Sequence, residues 1–290
     1  MIILIGAIIV IASVAGGFVL AGGHLATLMH LSELIIIGGA GLGALIIMSP
    51  RKVLVDMGRQ LVRALRGAPH NQHAYQELLK ALYELFLLGR RNGMIALEDH
   101  VMNPQTSSIL TKYTTFITNQ SAVTFLCNSL RPVIDGKIKP EQLKILLDVE
   151  LDSLEMEYHA PVNVLTKAAD AMPGFGIVAA VLGIVITMGS ISGPIEKIGE
   201  KVGAALVGTF LGIFLSYGFM NPLAMNLEFV NASHHGYARC IATAVAAFVN
   251  GLSPMMAVEL ARRGLSSDVR PSADELEALL KGAAAPAKAA

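Results

Sequence analysis

Two long stretches of this chain, Ala171–Gly193 and Val202–Leu227, contain no Asp, Glu, Lys, Arg or His. Among the few polar groups inside them are the hydroxyls of Thr187, Thr209 and Ser216. A hydroxyl donates and accepts hydrogen bonds but holds no charge near neutral pH, so it can contact a passing ion without carrying it. Ionisable residues inside apolar spans are the usual marks of ion and proton pathways. Here the nearest, Glu33 and Asp170, stand at the edges of apolar stretches. Two chemistries stay open. The hydroxyls and small residues serve helix packing alone, or they line a path whose titratable group belongs to another chain.

Other candidates are weaker. Gly208, Gly212 and Ser216 recur every fourth position, the spacing that lets a second helix approach one face closely. Gly39-Ala40-Gly41-Leu42-Gly43-Ala44 fits the dinucleotide pattern G-x-G-x-x-A, but it lies inside an apolar run with no strand signal before it and no acidic residue about 20 positions on. Small-residue packing is the better reading. His70 and His73 are expected on one helix face, and His234 and His235 are adjacent. No cysteine or carboxylate completes a metal set at ligand spacing, so these are expected to be solvated loop or interface histidines. Cys127 and Cys240 form no C-x-x-C pair. No G-x-S-x-G elbow and no phosphate-binding P-loop occurs, so nothing points to an enzyme. In "LLGRRNGMIALEDHV", Arg90 and Arg91 precede Gly93 and Glu98 and Asp99 follow it. Such a turn is either an ordinary solvated one or a docking patch with both signs of charge.

The elements that must position these residues follow from composition. Of 290 residues, 53% are hydrophobic and 15% charged, Trp is absent, and mean hydropathy is +0.58. That balance belongs to membrane proteins. A bilayer core takes about 20 apolar residues per helix, and four segments fit: 1–21, 33–49, 171–191 and 201–227. The first lacks a basic leading region and is expected to be a retained span. Net charge is zero, yet Arg51, Lys52, Arg59, Arg63 and Arg66 crowd just after the second span, while the 22–32 connection has neither Lys nor Arg. The positive-inside rule places 50–170 and the tail 228–290 in the cytoplasm, with 22–32 and 192–200 as periplasmic loops. The expected class is all-α: a polytopic membrane protein with four transmembrane helices and a helical cytoplasmic domain. Both cysteines then face a reducing compartment.

Within 50–170, Arg51–Arg66 reads as an amphipathic helix near the inner leaflet. Leu78, Leu79, Leu82, Leu85, Phe86 and Leu88 mark a second helical stripe. Pro140 opens a third helix, with Leu143, Leu146, Leu147, Leu151 and Leu154 as its stripe and bends expected near Pro161 and Pro173. Ser272 and Glu275 predict a capping box. The final "GAAAPAKAA" is low-complexity and expected to be disordered. No internal repeat of fixed period appears, which disfavours an inverted-repeat transporter.

Several segments together resemble the MotA family of flagellar motor stator subunits: "GGAGLGALI", "PGFGIVAAVLGIV", "LVGTFLGIFLSYGFMNPLA", "RRNGMIALEDHVMNP" and "RPSADELE". The likeness covers nearly the whole chain in the same order. It implies a subunit that forms a ring, taken to be a pentamer, around the single membrane helices of two MotB chains. A MotB aspartate would carry the proton missing from these spans. The resemblance makes Thr209 the hydroxyl facing the ion path, with Ala180, Thr187 and Ser216 lining it. It makes Pro173 and Pro222 the prolines coupling conformational change to torque. Arg90, Arg91, Glu98 and Asp99 would contact the rotor protein FliG. Sodium-driven relatives place a threonine where this chain has Ala180, so protons are the expected driving ion and no cofactor is expected. The alternative is an energiser of outer-membrane transport like ExbB or TolQ, whose group has three spans rather than four.

Overall fold

The structure, a computed structural model, describes residues 2–66, 70–189 and 191–283. Every regular element among them is helical. In chain order the α-helices are α1 (Ile2–Leu20), α2 (Leu31–Met48), α3 (Arg51–Arg66), α4 (Gln72–Asn92), α5 (Glu98–Met102), α6 (Thr114–Ile117), α7 (Gln120–Ile134), α8 (Pro140–Met188), α9 (Ile195–Leu215), α10 (Asn221–Val249), α11 (Pro254–Arg263) and α12 (Ala273–Ala283). Short 3₁₀ turns join several of them, and a π-helical turn, Ser216–Met220, joins α9 to α10. Among the described residues, four helical segments are long and apolar enough to cross a membrane: Ile2–Leu20, Leu25–Met48, Pro140–Met188 and Ile195–Val249. The chain forms two compact units, residues 1–67 with 157–231 and residues 68–156 with 232–290.

The first unit is built on the apolar helices. No side chain of α1 is buried and none is charged. A helix apolar on all sides is stable only with lipid or other protein around it. On α2 the buried residues are Glu33, Ile37 and Gly41, one stripe at intervals of four. Glu33, expected near an interface, is only 6% exposed and accepts a 2.6 Å hydrogen bond from the Ser32 hydroxyl. Helix α3 buries Met57, Gln60 and Ala64, and the apolar Met57 and Ala64 pack in one cluster with Val162, Leu165, Ala224, Leu227 and Val230. A polar knot fastens the same face. Asn231 Nδ2 donates to Gln60 Oε1 at 3.0 Å and to the Tyr158 carbonyl at 2.8 Å, so α3, α8 and α10 share one buried amide. Buried amides cost free energy unless so satisfied. Lys52 adds a 2.6 Å ion pair to Glu157 on the surface.

The second unit has the larger core. Leu78, Leu79, Leu82, Leu85 and Phe86 of α4 are all fully buried, each worth about 2 kcal/mol in apolar burial. Phe86 stacks on Phe248 of α10 with centroids 4.4 Å apart. Helix α4 starts at Asn71, whose Oδ1 accepts from Ala74 N at 2.9 Å. It stops at Gly93, where φ is +85°, a conformation open to glycine. Helix α8 begins at Pro140 as its sequence predicts. Leu143, Leu147 and Leu151 are buried, but Leu146 is 38% exposed, because a step of three from Leu143 falls off the four-residue stripe. The expected capping box is present: Glu275 N donates to Ser272 Oγ at 3.1 Å and Ser272 N to Glu275 Oε2 at 2.7 Å.

Residues 232–283 are no appendage, since Tyr237, Ile241, Val245, Val258, Leu276 and Leu280 belong to the same core as α4. Helix α8 continues through both of its interior prolines, Pro161 and Pro173. The low-complexity end lies, from residue 284, outside the described residues.

Candidate functional site

The small residues of α9 meet α8 of the same chain. A methyl placed on Gly212 would come within 2.6 Å of the Met172 carbonyl oxygen and 2.9 Å of Gly176 Cα. One placed on Gly176 would meet the Gly208 carbonyl at 2.8 Å and Thr209 Cα at 3.3 Å. One on Gly208 would meet Ala179 Cβ at 3.0 Å and the Ala180 nitrogen at 3.3 Å, and Gly183 and Ala205 repeat the approach a turn further on. The four-residue spacing on α9 therefore serves backbone-to-backbone contact. Ala180 and Thr209 come together along this seam; Ala180 is buried and Thr209 half-buried. Pro173 lies on α8 one turn before Gly176.

The other two hydroxyls turn into their own helices. Thr187 donates to the Gly183 carbonyl at 2.8 Å and is 4% exposed. Ser216 is fully buried at the start of the π turn and accepts a long 3.4 Å hydrogen bond from Asn221 Nδ2. The π turn has a cause six residues on. Pro222 has no N–H for the carbonyl four residues back, and its ring crowds that carbonyl. A widened turn just before it relieves the clash. Pro222 itself is exposed, while a methyl on Gly218, inside the turn, would meet Val10 of α1 at 3.3 Å. Nothing in the sequence spacing announced the π form.

The charged turn is also assembled. Arg90 and Arg91 end α4, a 3₁₀ turn Met94–Leu97 follows Gly93, and Glu98 and Asp99 open α5. Cations sit at a helix C-terminus and anions at an N-terminus, each where the helix dipole favours it. All four side chains are exposed. Leu97 beneath them is fully buried and anchors the turn to the core.

The glycine motif of α2 has no strand before it, which removes the dinucleotide reading. Gly41 alone of its glycines is tight, against the Met172 methyl. Of the histidines, His70 departs from expectation. His73 is exposed, paired loosely with Glu77 at 3.9 Å. His70 precedes α4 and is 6% exposed, stacked on Tyr237 at 4.1 Å with its Nε2 3.2 Å from His234 Nδ1. Burial, and then repulsion from His234, lower its pKa to about 4. No group of three or more potential metal ligands occurs among the described residues. Cys127 and Cys240 are buried free thiols, pushed up by burial to about 11 and about 12.

Comparison with known proteins gives one answer. The family model described as motility protein A N-terminal matches residues 4–93, and that of the MotA/TolQ/ExbB proton channel family matches residues 118–233. Motility protein A of Salmonella typhimurium is 38% identical over 277 residues, 96% of this chain and 94% of the relative. That of Escherichia coli is 36% identical over the same span of 277 residues. Chemotaxis protein LafT of Vibrio parahaemolyticus is 33% identical, covering 94% of this chain and 96% of its own. The fold matches the structure of C. jejuni MotAB with a TM-score of 0.77 at 20% identity, covering 93% of this chain and 98% of that one. The flagellar MotAB stator complex from Bacillus subtilis gives 0.74 at 23%, with coverage of 93% and 98%. The match at the N-terminal end is to motility protein A and so favours that branch over TolQ or ExbB. An identity of 38% across nearly the whole of both chains, on a matching fold, means that the chain belongs to the motility protein A family, the MotA subunits of the flagellar stator.

Proposed function

We propose that this subunit supplies the uncharged wall of a proton path whose carboxylate belongs to a single-span MotB partner. The observation that carries this is the α8–α9 seam: two apolar helices, locked at glycine distance, with no Asp, Glu, Lys, Arg or His between 171 and 193 or between 202 and 227. A carboxylate on a partner helix beside such a low-dielectric surface has its neutral form favoured, so it can take up and release protons in turn. In this reading the chain crosses the inner membrane four times, at 1–21, 33–49, 171–191 and 201–227. The loops 22–32 and 192–200 are periplasmic, and 50–170, 228–290 and both termini are cytoplasmic.

Copies of the chain, five by family resemblance, surround two MotB helices. Thr209 and Ala180 face the path from the seam, while Thr187 and Ser216 shape its wall with their hydroxyls held inside. Protonation of the partner favours one ring position after another, and Pro173 and Pro222 pass the change to the cytoplasmic helices. A membrane potential of 100 mV supplies about 2.3 kcal/mol per charge crossing, so several protons are needed per unit of work. Arg90, Arg91, Glu98 and Asp99 deliver the push to FliG. Ala180 offers no side-chain oxygen to a bare sodium ion, so the driving ion is the proton.

The test is rotation. Cells lacking their own stator, given this chain with MotB, should turn tethered flagella. Speed should follow the proton-motive force and ignore sodium. Speed that rises with sodium at fixed proton-motive force would overturn the ion assignment, and no rotation despite assembly would overturn the stator reading.

A further inference from the structure

Helix α3 has two working faces, and only one is used inside its unit. Met57, Gln60 and Ala64 point inward. At about 100° per residue, the opposite arc carries Leu65, Val62 and Val55, and next to them Arg59 and Arg63, with Arg51 among the apolar residues. Val55, Val62 and Leu65 are 44%, 53% and 47% exposed, and Arg51, Arg59 and Arg63 are exposed too. From Arg51 to Arg66 the helix has five cations and one anion, Asp56. Asp56 neutralises little, since its contact to Arg59 is 3.4 Å long and exposed. Lys52 is engaged with Glu157 at 2.6 Å, which leaves the arginines as the outward charge.

We propose that this outer face of α3 is a docking site for anionic phospholipid headgroups, with Val55, Val62 and Leu65 seated at the acyl boundary and Arg51, Arg59 and Arg63 on the phosphates. The site rests on the reading of α2 as a membrane span. Two residues, Ser49 and Pro50, separate the end of α2 from Arg51, so the tether holds α3 at the surface of the leaflet where α2 ends. An apolar strip flanked by arginines is the pattern of a helix lying in that interface. Long basic side chains can bury their stems and still reach the headgroups. The same positive arc would be repelled by an identical arc on a second copy, which favours lipid as its occupant. The inward face, fixed by Gln60, Asn231 and the Tyr158 carbonyl, would then tie a lipid contact to α8 and α10 within the same unit.

The experiment uses the full chain with its partner, reconstituted in nanodiscs of equal phosphatidylcholine and phosphatidylglycerol. The retained lipid is then measured by native mass spectrometry. The wild-type complex should keep phosphatidylglycerol in preference. Each cation near an anionic surface is worth about fivefold in affinity, so the triple variant Arg51→Gln, Arg59→Gln, Arg63→Gln should lose at least about tenfold of the preference. The triple Arg→Lys variant should keep most of it, and thermal unfolding should be unchanged in both. Equal enrichment in the wild type and the Gln variant would overturn the proposal. So would a Gln variant that loses self-association while its lipid preference stays, because the face would then belong to a neighbouring copy. Neither readout needs proton flow or rotation, so a failed stator assay leaves this result interpretable. Normal rotation with no lipid preference rejects only the lipid site.

Discussion

Gly176 and Gly212 set the distance between α8 and α9, and each has backbone rather than a movable side chain facing it. Gly212→Ala should therefore push the helices apart and destabilise the purified chain by about 1–3 kcal/mol, the usual cost of overpacking. Gly203→Ala is the control, because nothing lies within 4 Å of its added methyl and alanine favours helix by up to about 1 kcal/mol. A thermal-unfolding series separates the two, and equal midpoints would contradict the seam. The spacing of Gly208 and Gly212 was legible in the sequence, but not the helix they meet, because periodicity gives a face and not its neighbour. His70 differs from expectation for a related reason: a histidine in a polar connection looks solvated in the sequence, but the ring of Tyr237 stacks on it. Its folded pKa of about 4 lies below the ordinary 6.5, so the unfolded chain takes the proton first as pH falls. The stability linked to His70 is complete above 6.5 and is lost progressively down to about 4. Protection factors across α4 and α10, corrected for the intrinsic pH dependence of amide exchange, should fall over that window in the wild type. His70→Phe keeps an aromatic ring against Tyr237 and should flatten this part of the pH dependence.

The charged turn between α4 and α5 is an element whose shape and role separate cleanly. Gly93 at positive φ and buried Leu97 fix its path, while Arg90, Arg91, Glu98 and Asp99 only decorate it. Arg90→Glu and Glu98→Lys should each change stability by no more than about 0.5 kcal/mol, as exposed substitutions do, while cutting motor torque severalfold. Normal torque in both, measured by bead assay at high load, would remove the docking role. The π turn makes a second element-level case. Pro222→Leu restores the missing N–H and should let the turn relax toward regular α-helix. If the widened turn carries the coupling, rotation should fall while membrane insertion stays intact. Helices with strong stripes and explicit caps, such as α4 and the Ser272–Glu275 start of α12, could be read directly from residue order. The π turn and the Asn231–Gln60–Tyr158 knot could not. The first follows from strain relieved within the backbone, and the second joins residues 171 positions apart.

Across the whole molecule, charge is segregated by residue number. The basic cluster follows α2, the mixed-sign turn follows α4, and the stretches of α8 and α9 that meet at the glycine seam hold no titratable group. The all-helical class and the apolar segments were evident from composition because bilayers constrain composition strongly. Shared membership of one core by α4 and the residues after 231 was not evident, since contacts distant in sequence leave no periodic trace. Under the proposed function this chain walls a path but carries no proton through it alone. Proton uptake by liposomes under an imposed potential tests it most directly, using purified chain alone, chain with MotB, and chain with MotB whose membrane aspartate is changed to asparagine. Flux is expected only in the second; uptake by the chain alone, or undiminished uptake with the asparagine partner, would overturn the proposed path.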